Sequence, residues 1–277
     1  MTESAVFTAK DAAVMIAVPS ASDDKYSRGV LGVITGSTRY PGAAILGVDA
    51  ALHTGVGMVR YIGPQRPSDL VLQRRPEAVT VDGRVQAWLL GSGIDPTDRS
   101  AQLLSKMIDA IEQGLPVVLD SGALEFHDRA TGPVVITPHY RELGRTIGAD
   151  PDEIAADPAG FARRASDALG VTVLLKGATT CVAGPGVDFS TATAPTWLAT
   201  AGAGDALGGI LGALVATHTR QIEEDPQTLA RLAATAAFVH GMAAQRASAG
   251  GPLTVLNLIA ALPSTIAAVL AQGVTIR

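Results

Sequence analysis

The chain has 277 residues, 47% of them hydrophobic, a length and composition that bury a large core as one domain. Its formal net charge is −5 and its 21 basic residues form no dense block, which argues against nucleic acid and for a small-molecule partner. A single cysteine, Cys181, excludes an intrachain disulfide framework, and His53, His127, His218 and His240 lack metal-ligand spacing, so no structural zinc is expected.

Near the start, the apolar run from Ala12 to Val18 is short and lacks a cleavage pattern, so a cytoplasmic protein is expected. No uncharged apolar run is expected to approach the ~20 residues that span a bilayer. Residues 1–277 are taken as one domain, with the first 20 at its periphery. Strands are predicted at 29–35, 57–62, 87–90, 116–119, 133–136 and 171–175, several of them apolar throughout. Runs of that kind suit a parallel sheet covered on both faces. Helical patterns at 43–54, 99–113, 141–147 and 159–169 fall between them, and the alternation marks an α/β domain. A further β-prone run at 179–183 and the turn Gly184-Pro185-Gly186 read as an antiparallel ribbon finishing the sheet. The uncharged stretch 206–216 reads as a helix buried on nearly every side, and 228–272 as two or three packing helices joined through the exposed acidic patch 223–226.

Polar residues gather where the predicted strands end, and in open α/β sheets ligands bind beyond those carboxyl ends. Gly36-Ser37 and Tyr40-Pro41-Gly42-Ala43-Ala44 follow the first strand, and Gly91-Ser92-Gly93 the third. Neither has the spacing of a dinucleotide fingerprint or a P-loop. Asp120 ends the fourth strand, where it either binds a hydrated Mg²⁺ or holds neighbouring loops together. Thr137-Pro138-His139, with Glu142, follows the fifth. Lys176-Gly177-Ala178-Thr179-Thr180 follows the sixth, where a strand-end lysine and paired hydroxyls suit phosphate or ribose, the alternative being a solvated turn lysine. Arg39 and Arg60 read as surface charges. Finally, Ala201-Gly202-Ala203-Gly204-Asp205 opens the apolar helix. Its leading N–H groups have no intrahelical partners and can receive a phosphate approaching over the glycines, with Asp205 beside it. Alternatively, Asp205 is an ordinary N-terminal cap.

Taken together, these segments resemble the ribokinase-like superfamily and, more closely, the ADP-dependent NAD(P)H-hydrate dehydratases, over residues 24–263. Gly-Xaa-Gly-Asp alone is common to the superfamily; Pro-Gly-Ala-Ala and Thr-Pro-His favour the dehydratase. The resemblance implies a ribokinase-like three-layer sandwich, a largely parallel central sheet with helices on both faces. It implies ADP- or ATP-driven dehydration of NADHX and NADPHX, usually with Mg²⁺, often by a tetramer. Lys176, Gly177, Ala178, Thr179, Thr180 and Gly204 match nucleotide-lining positions, while Ala43, Gly93, His139 and Asp205 match those facing the hydrate. Gly202, Ala203 and Gly204 match the anion hole. Asp205 is the expected catalytic residue, and the helix dipole is expected to keep its pKa from rising strongly.

Three segments depart from the family pattern. Asp120-Ser121-Gly122-Ala123-Leu124-Glu125 stands where relatives read Asp-Ala-Asp-Ala-Leu-Asn, Arg141 replaces a usual glycine, and Ala201 and Ala203 replace glycine and serine or threonine. With no companion epimerase domain expected in the chain, a separate epimerase would interconvert the hydrate epimers. Two rival readings use the same residues: a kinase of a vitamin-precursor alcohol, and a nucleotide sensor without chemistry.

Overall fold

The computed structural model describes residues 5–273. In chain order the elements are β1 (Ala5–Val6), α1 (Ala9–Val14), β2 (Val30–Ile34), α2 (Pro41–Thr54), β3 (Met58–Tyr61), α3 (Gln65–Arg74), β4 (Ala87–Leu90), α4 (Ala101–Ile111) and β5 (Val117–Leu119). There follow β6 (Val134–Ile136), α5 (Tyr140–Ile147), α6 (Pro151–Ala156), α7 (Pro158–Leu169), β7 (Thr172–Leu175), β8 (Thr180–Gly184), β9 (Val187–Thr191), α8 (Ala203–Thr217), α9 (Thr219–Glu224), α10 (Gln227–Ser248) and α11 (Val255–Gly273). Every predicted strand is present, with ends within one residue of expectation.

The strands form one sheet in the order β1-β9-β8-β7-β6-β5-β4-β2-β3. From β3 to β7 neighbouring strands are parallel, β8 runs antiparallel to both β7 and β9, and β1 pairs parallel to β9. The ribbon expected after β7 is therefore β8 and β9. Side chains alternate across the sheet, as strand geometry requires. Leu31, Leu89, Val118, Val135 and Leu174 face one core, filled from α1, α2, α8, α10 and α11. Val30, Leu90, Val117, Ile136 and Val173 face a second core, filled from α4, α5, α6 and α7. These are the three layers of an α/β sandwich.

Strand order reverses at β2, which has β3 on one side and β4 on the other. Loops leaving β2 and β4 part there, leaving a crevice at the carboxyl end of the sheet. They are stitched at its base, where the Gly36 N–H donates to the Ser92 carbonyl at 2.7 Å. Above the sheet α8 crosses α2 so closely that a Cβ on Gly209 would lie 2.2 Å from the Gly47 carbonyl oxygen. Only glycine permits that approach. Residues 206–216 are all buried, as their lack of charge predicts.

Two sequence expectations are corrected. The N-terminal residues are not peripheral throughout: β1 extends the sheet, and Phe7, Ala12 and Ala13 are buried in the first core. Similarly, the uncharged 19-residue α11, with mean hydropathy 1.8, is long and apolar enough to cross a membrane by length and composition. It lies along α1, α2 and α10 and buries Leu258, Ile259 and Leu262 in the core.

Candidate active site

Asp120 organises the carboxyl end of the sheet. Leaving β5, it is almost fully buried, and its Oδ1 accepts from Lys176 Nζ at 2.8 Å and Thr137 Oγ1 at 2.9 Å. Its Oδ2 accepts from Ser92 Oγ at 2.9 Å. One carboxylate thus ties together the loops after β4, β6 and β7. Burial by itself pushes the Asp120 carboxyl up, but the Lys176 ammonium and these three donors together hold it below the ordinary carboxylate value. Of the two roles open to Asp120, the geometry supports the loop-holding one.

Lys176 is no solvated turn lysine. Its side chain is 21% exposed, and its Nζ lies 2.8 Å from Asp120 Oδ1 and 3.8 Å from Glu142 Oε2. Burial alone pulls the ammonium down, yet the charges of Asp120, Glu142 and Asp205 overcome this and raise it. A backbone bond from Lys176 N–H to the Pro138 carbonyl, 2.8 Å, locks the lysine loop beside the Thr-Pro-His turn.

His139 caps α5 in a reciprocal box: its Nδ1 accepts from the Glu142 N–H at 3.2 Å, and its own N–H donates to Glu142 Oε2 at 2.8 Å. The imidazole remains 48% exposed. Arg141 is exposed within the first turn of α5, and the cap forms with it in place.

Gly202, not Asp205, caps α8. Its φ of +89° lies in the left-handed region that glycine adopts without strain, and no side chain bonds to the helix start. The first N–H groups of α8 therefore meet no side-chain oxygen, and Asp205, third in the helix, is not a cap. A Cβ added to Gly204 would lie 3.6 Å from Lys176 Nζ, so the ammonium stands directly over the helix start.

The charge state of Asp205 differs from the sequence expectation. Burial, with the nearby Asp120 carboxylate, raises its pKa to about 6, while Lys176 partly opposes the rise. The expectation counted the helix dipole, but desolvation of the carboxylate is the larger effect.

These groups line a cleft of about 860 Å³, which takes in Lys176, Gly177, Ala178, Thr180, His139, Gly202, Ala203, Gly204 and Asp205. Thr179 is exposed outside that lining. Gly93 lines an adjoining cavity of about 650 Å³. Ala43, 6% exposed, packs behind Gly93, whose added Cβ would lie 2.4 Å from the Ala43 methyl. Arg60 bonds to the carbonyls of Val81 and Arg84 away from both cavities.

Several lining residues were not among the site residues expected from the sequence. Ser121 and Glu142 line both cavities, and Thr191, Thr193 and Thr196 form a wall of the larger one. A hydroxyl-rich stretch just before the Gly-Xaa-Gly-Asp segment was the available clue. His240, judged only against metal spacing, lines the cleft from α10; burial depresses its pKa to about 4, and its Nε2 has no hydrogen-bond partner.

Comparisons with known proteins identify the family and the fold. Residues 31–262 match a family model described as NAD(P)H-hydrate dehydratase. The chain is 41% identical over 224 residues to the bifunctional NAD(P)H-hydrate repair enzyme Nnr of Mycobacterium tuberculosis, a match covering 76% of this chain and 46% of that protein. The chain thus spans about half the length of such bifunctional relatives. It is 33% identical over 235 residues to the ADP-dependent (S)-NAD(P)H-hydrate dehydratase of Neisseria meningitidis serogroup B, covering 78% of this chain and 76% of the relative. Its fold matches the crystal structure of the ADP/ATP-dependent NAD(P)H-hydrate dehydratase from Bacillus subtilis co-crystallised with ATP/Mg²⁺, with a TM-score of 0.84 at 24% identity, over 97% of this chain and 100% of that one.

Proposed function

The chain belongs to the NAD(P)H-hydrate dehydratase family, and from that membership we propose that it restores NADH and NADPH from their hydrates, NADHX and NADPHX, driven by ADP or ATP. One observation carries the reading: Asp205, with no hydrogen-bond partner among the described side chains, stands at the side-chain-free start of α8 in a cleft shared with Lys176 and His139.

In this proposal Lys176, Gly177, Ala178, Thr179, Thr180 and Gly204 hold the nucleotide, while Ala43, Gly93, His139 and Asp205 face the hydrate. The ring hydroxyl attacks the terminal phosphorus of the nucleotide, its proton passes to Asp205, and with ADP the bond to the departing AMP breaks. N–H groups from Gly202, Ala203 and Gly204 stabilise charge on the transferred oxygens, the Ala203 N–H giving up its long 3.4 Å bond to the Thr200 carbonyl. The ring nitrogen then expels phosphate from the adjacent carbon, and loss of a proton from the next carbon restores the dihydronicotinamide. Hydrate and ADP thus become NADH, AMP and phosphate.

Three carboxylates, Asp120, Glu142 and Asp205, act on the one ammonium of Lys176. That excess of negative charge disfavours a bare polyphosphate and fits a divalent cation arriving with it. When bound, Mg²⁺ neutralises phosphate charge; it keeps several waters and needs only one or two carboxylates. Asp205, which has no hydrogen-bond partner among the described side chains, would supply one, since the oxygens of Asp120 are occupied by Lys176, Thr137 and Ser92, and those of Glu142 by the His139 N–H and Ser121.

Incubating the purified protein with NADHX, ADP and Mg²⁺ should return dihydronicotinamide absorbance. No ADP-dependent rise rejects the reading. Accumulation of a phosphorylated alcohol would instead identify a kinase, and saturable ADP binding without turnover a sensor. The proposal extends to a cytoplasmic homotetramer working with a separate epimerase. Light scattering tests the assembly, cell fractionation the location, and consumption of only one epimer in the purified reaction tests the need for an epimerase.

A further inference from the structure

Two residues, Ser121 and Glu142, line both cavities and form the sill between them. Ser121 is held in an unusual way. Its φ is +46°, and among the described non-glycine residues only Ala249 shares that left-handed region. A side chain there is strained where glycine would not be, and such strain collects at functional sites. Gly122 follows immediately, yet the strained position itself carries a hydroxyl.

That hydroxyl is weakly committed. Ser121 Oγ donates to Glu142 Oε1 at 3.3 Å and to Asp120 Oδ2 at 3.4 Å, long beside the O–H···O mode of roughly 2.7–2.8 Å. Ser92 Oγ, by contrast, reaches the same Asp120 oxygen at 2.9 Å. That proton, held only loosely by either carboxylate, can turn to an acceptor on a ligand bound in the cavities.

Resting on the dehydratase reading above, we propose that Ser121 is a substrate-binding residue that donates a hydrogen bond to the oxygen of the hydroxyl added to the nicotinamide ring, whose own proton is left for Asp205, and so distinguishes the hydrate from the dehydrated product. NADH and NADPH lack that hydroxyl. Nothing in the site needs a serine at the sill to hold nucleotide, whose expected contacts lie along the lysine loop and the start of α8.

Two substitutions separate hydroxyl from backbone. Ser121→Ala keeps the strained conformation and removes the hydroxyl, whereas Ser121→Gly removes both. Both variants should raise the KM for NADHX about three- to tenfold, the worth of one hydrogen bond. Neither should change the affinity for ADP, or for NADH followed by its own fluorescence, and the glycine variant should melt at or above the wild type. An unchanged KM in both variants overturns the proposal. So does a parallel weakening for NADHX, NADH and ADP, the signature of a merely structural role. Wild-type protein in the same assay keeps the two readings apart: an inactive wild type rejects the dehydratase function and this role with it, whereas an active wild type with unaltered variants rejects only this role.

Discussion

Asp120 and Asp205 stand at the same end of the sheet and act on the same lysine, yet they are held in opposite ways. Asp120 is the more deeply buried, and its pKa is lowered, because Lys176, Thr137 and Ser92 all donate to it. Asp205 receives no side-chain donor, and its pKa is raised to about 6 by burial and by Asp120 itself. Burial pushes both carboxyls up, and only the donors around Asp120 reverse the rise. The first carboxylate holds loops in place, and the second is left without a partner at a cost in stability; the proposed chemistry makes it the reactive one.

Replacing the reactive one should have the largest effect. Asp205→Asn is expected to lower kcat by about 10²–10⁴-fold, the range for a positioned acid–base group, without weakening ADP binding measured in the absence of Mg²⁺. It should also stabilise the protein above pH 6. A carboxyl raised from 3.8 to about 6 binds its proton more tightly when folded, so wild-type stability falls as pH rises through that window. Above it the cost is on the order of 1–3 kcal/mol. Denaturant melts at high pH should show the gain, and melts below pH 3.8 should not. Near-normal turnover in this variant would remove Asp205 from the chemistry. In the wild type, kcat/KM should rise with pH through about 6 as Asp205 ionises.

Asp120→Asn attacks the other half of the comparison. The ammonium of Lys176 loses its nearest charge, leaving Glu142 at 3.8 Å. Breaking a buried pair costs about 3–5 kcal/mol, and the partial exposure of Lys176 reduces this to roughly 2–3 kcal/mol. The lowered pKa of Asp120 gives stability that is present above pH 3.8 and lost as pH falls through its lower native value, so the deficit should be full at neutral pH and shrink only in acid. Removing the Asp120 charge should also move the acid limb of kcat/KM below that of the wild type. A limb that stays put means Asp205 does not sense Asp120.

What the sequence disclosed divides along the same line between local and distant causes. The strands were legible because residues such as Val117, Val118 and Leu119, buried on both faces, form apolar runs that turns interrupt. The start of α8 was legible because Gly202 and Asp205 sit within a few residues of an uncharged helix. In contrast, α3 was missed: Gln65–Arg74 is mostly polar, its aliphatic residues confined to Leu70, Val71 and Leu72, and it is tied to α2 by the buried Asp49, which accepts from Arg74 Nε at 3.1 Å and Arg75 Nε at 2.6 Å. Likewise, the raised pKa of Asp205 depends on Asp120, 85 positions away, and on burial that no short window records. Ser121 gave no sign of its left-handed backbone, which is imposed by the loops around it.

His240 offers the smallest and most selective test of how burial and partners together decide charge. Buried on α10 beside Lys176 and the backbone of Ala203, it keeps a neutral ring because burial outweighs the one group that favours its proton. A base whose pKa falls from 6.5 to about 4 on folding binds its proton less tightly when folded. Wild-type stability should therefore drain away as pH drops through that window, by on the order of 1–3 kcal/mol. His240→Leu has no such loss, and it also removes the unpartnered Nε2, so the variant should be close to wild type at pH 7 and gain on it steadily toward pH 4 in urea melts. Parallel pH curves for the two proteins would mean that the ring finds a partner for its proton, and that the floor of the cleft is wetter than its burial implies.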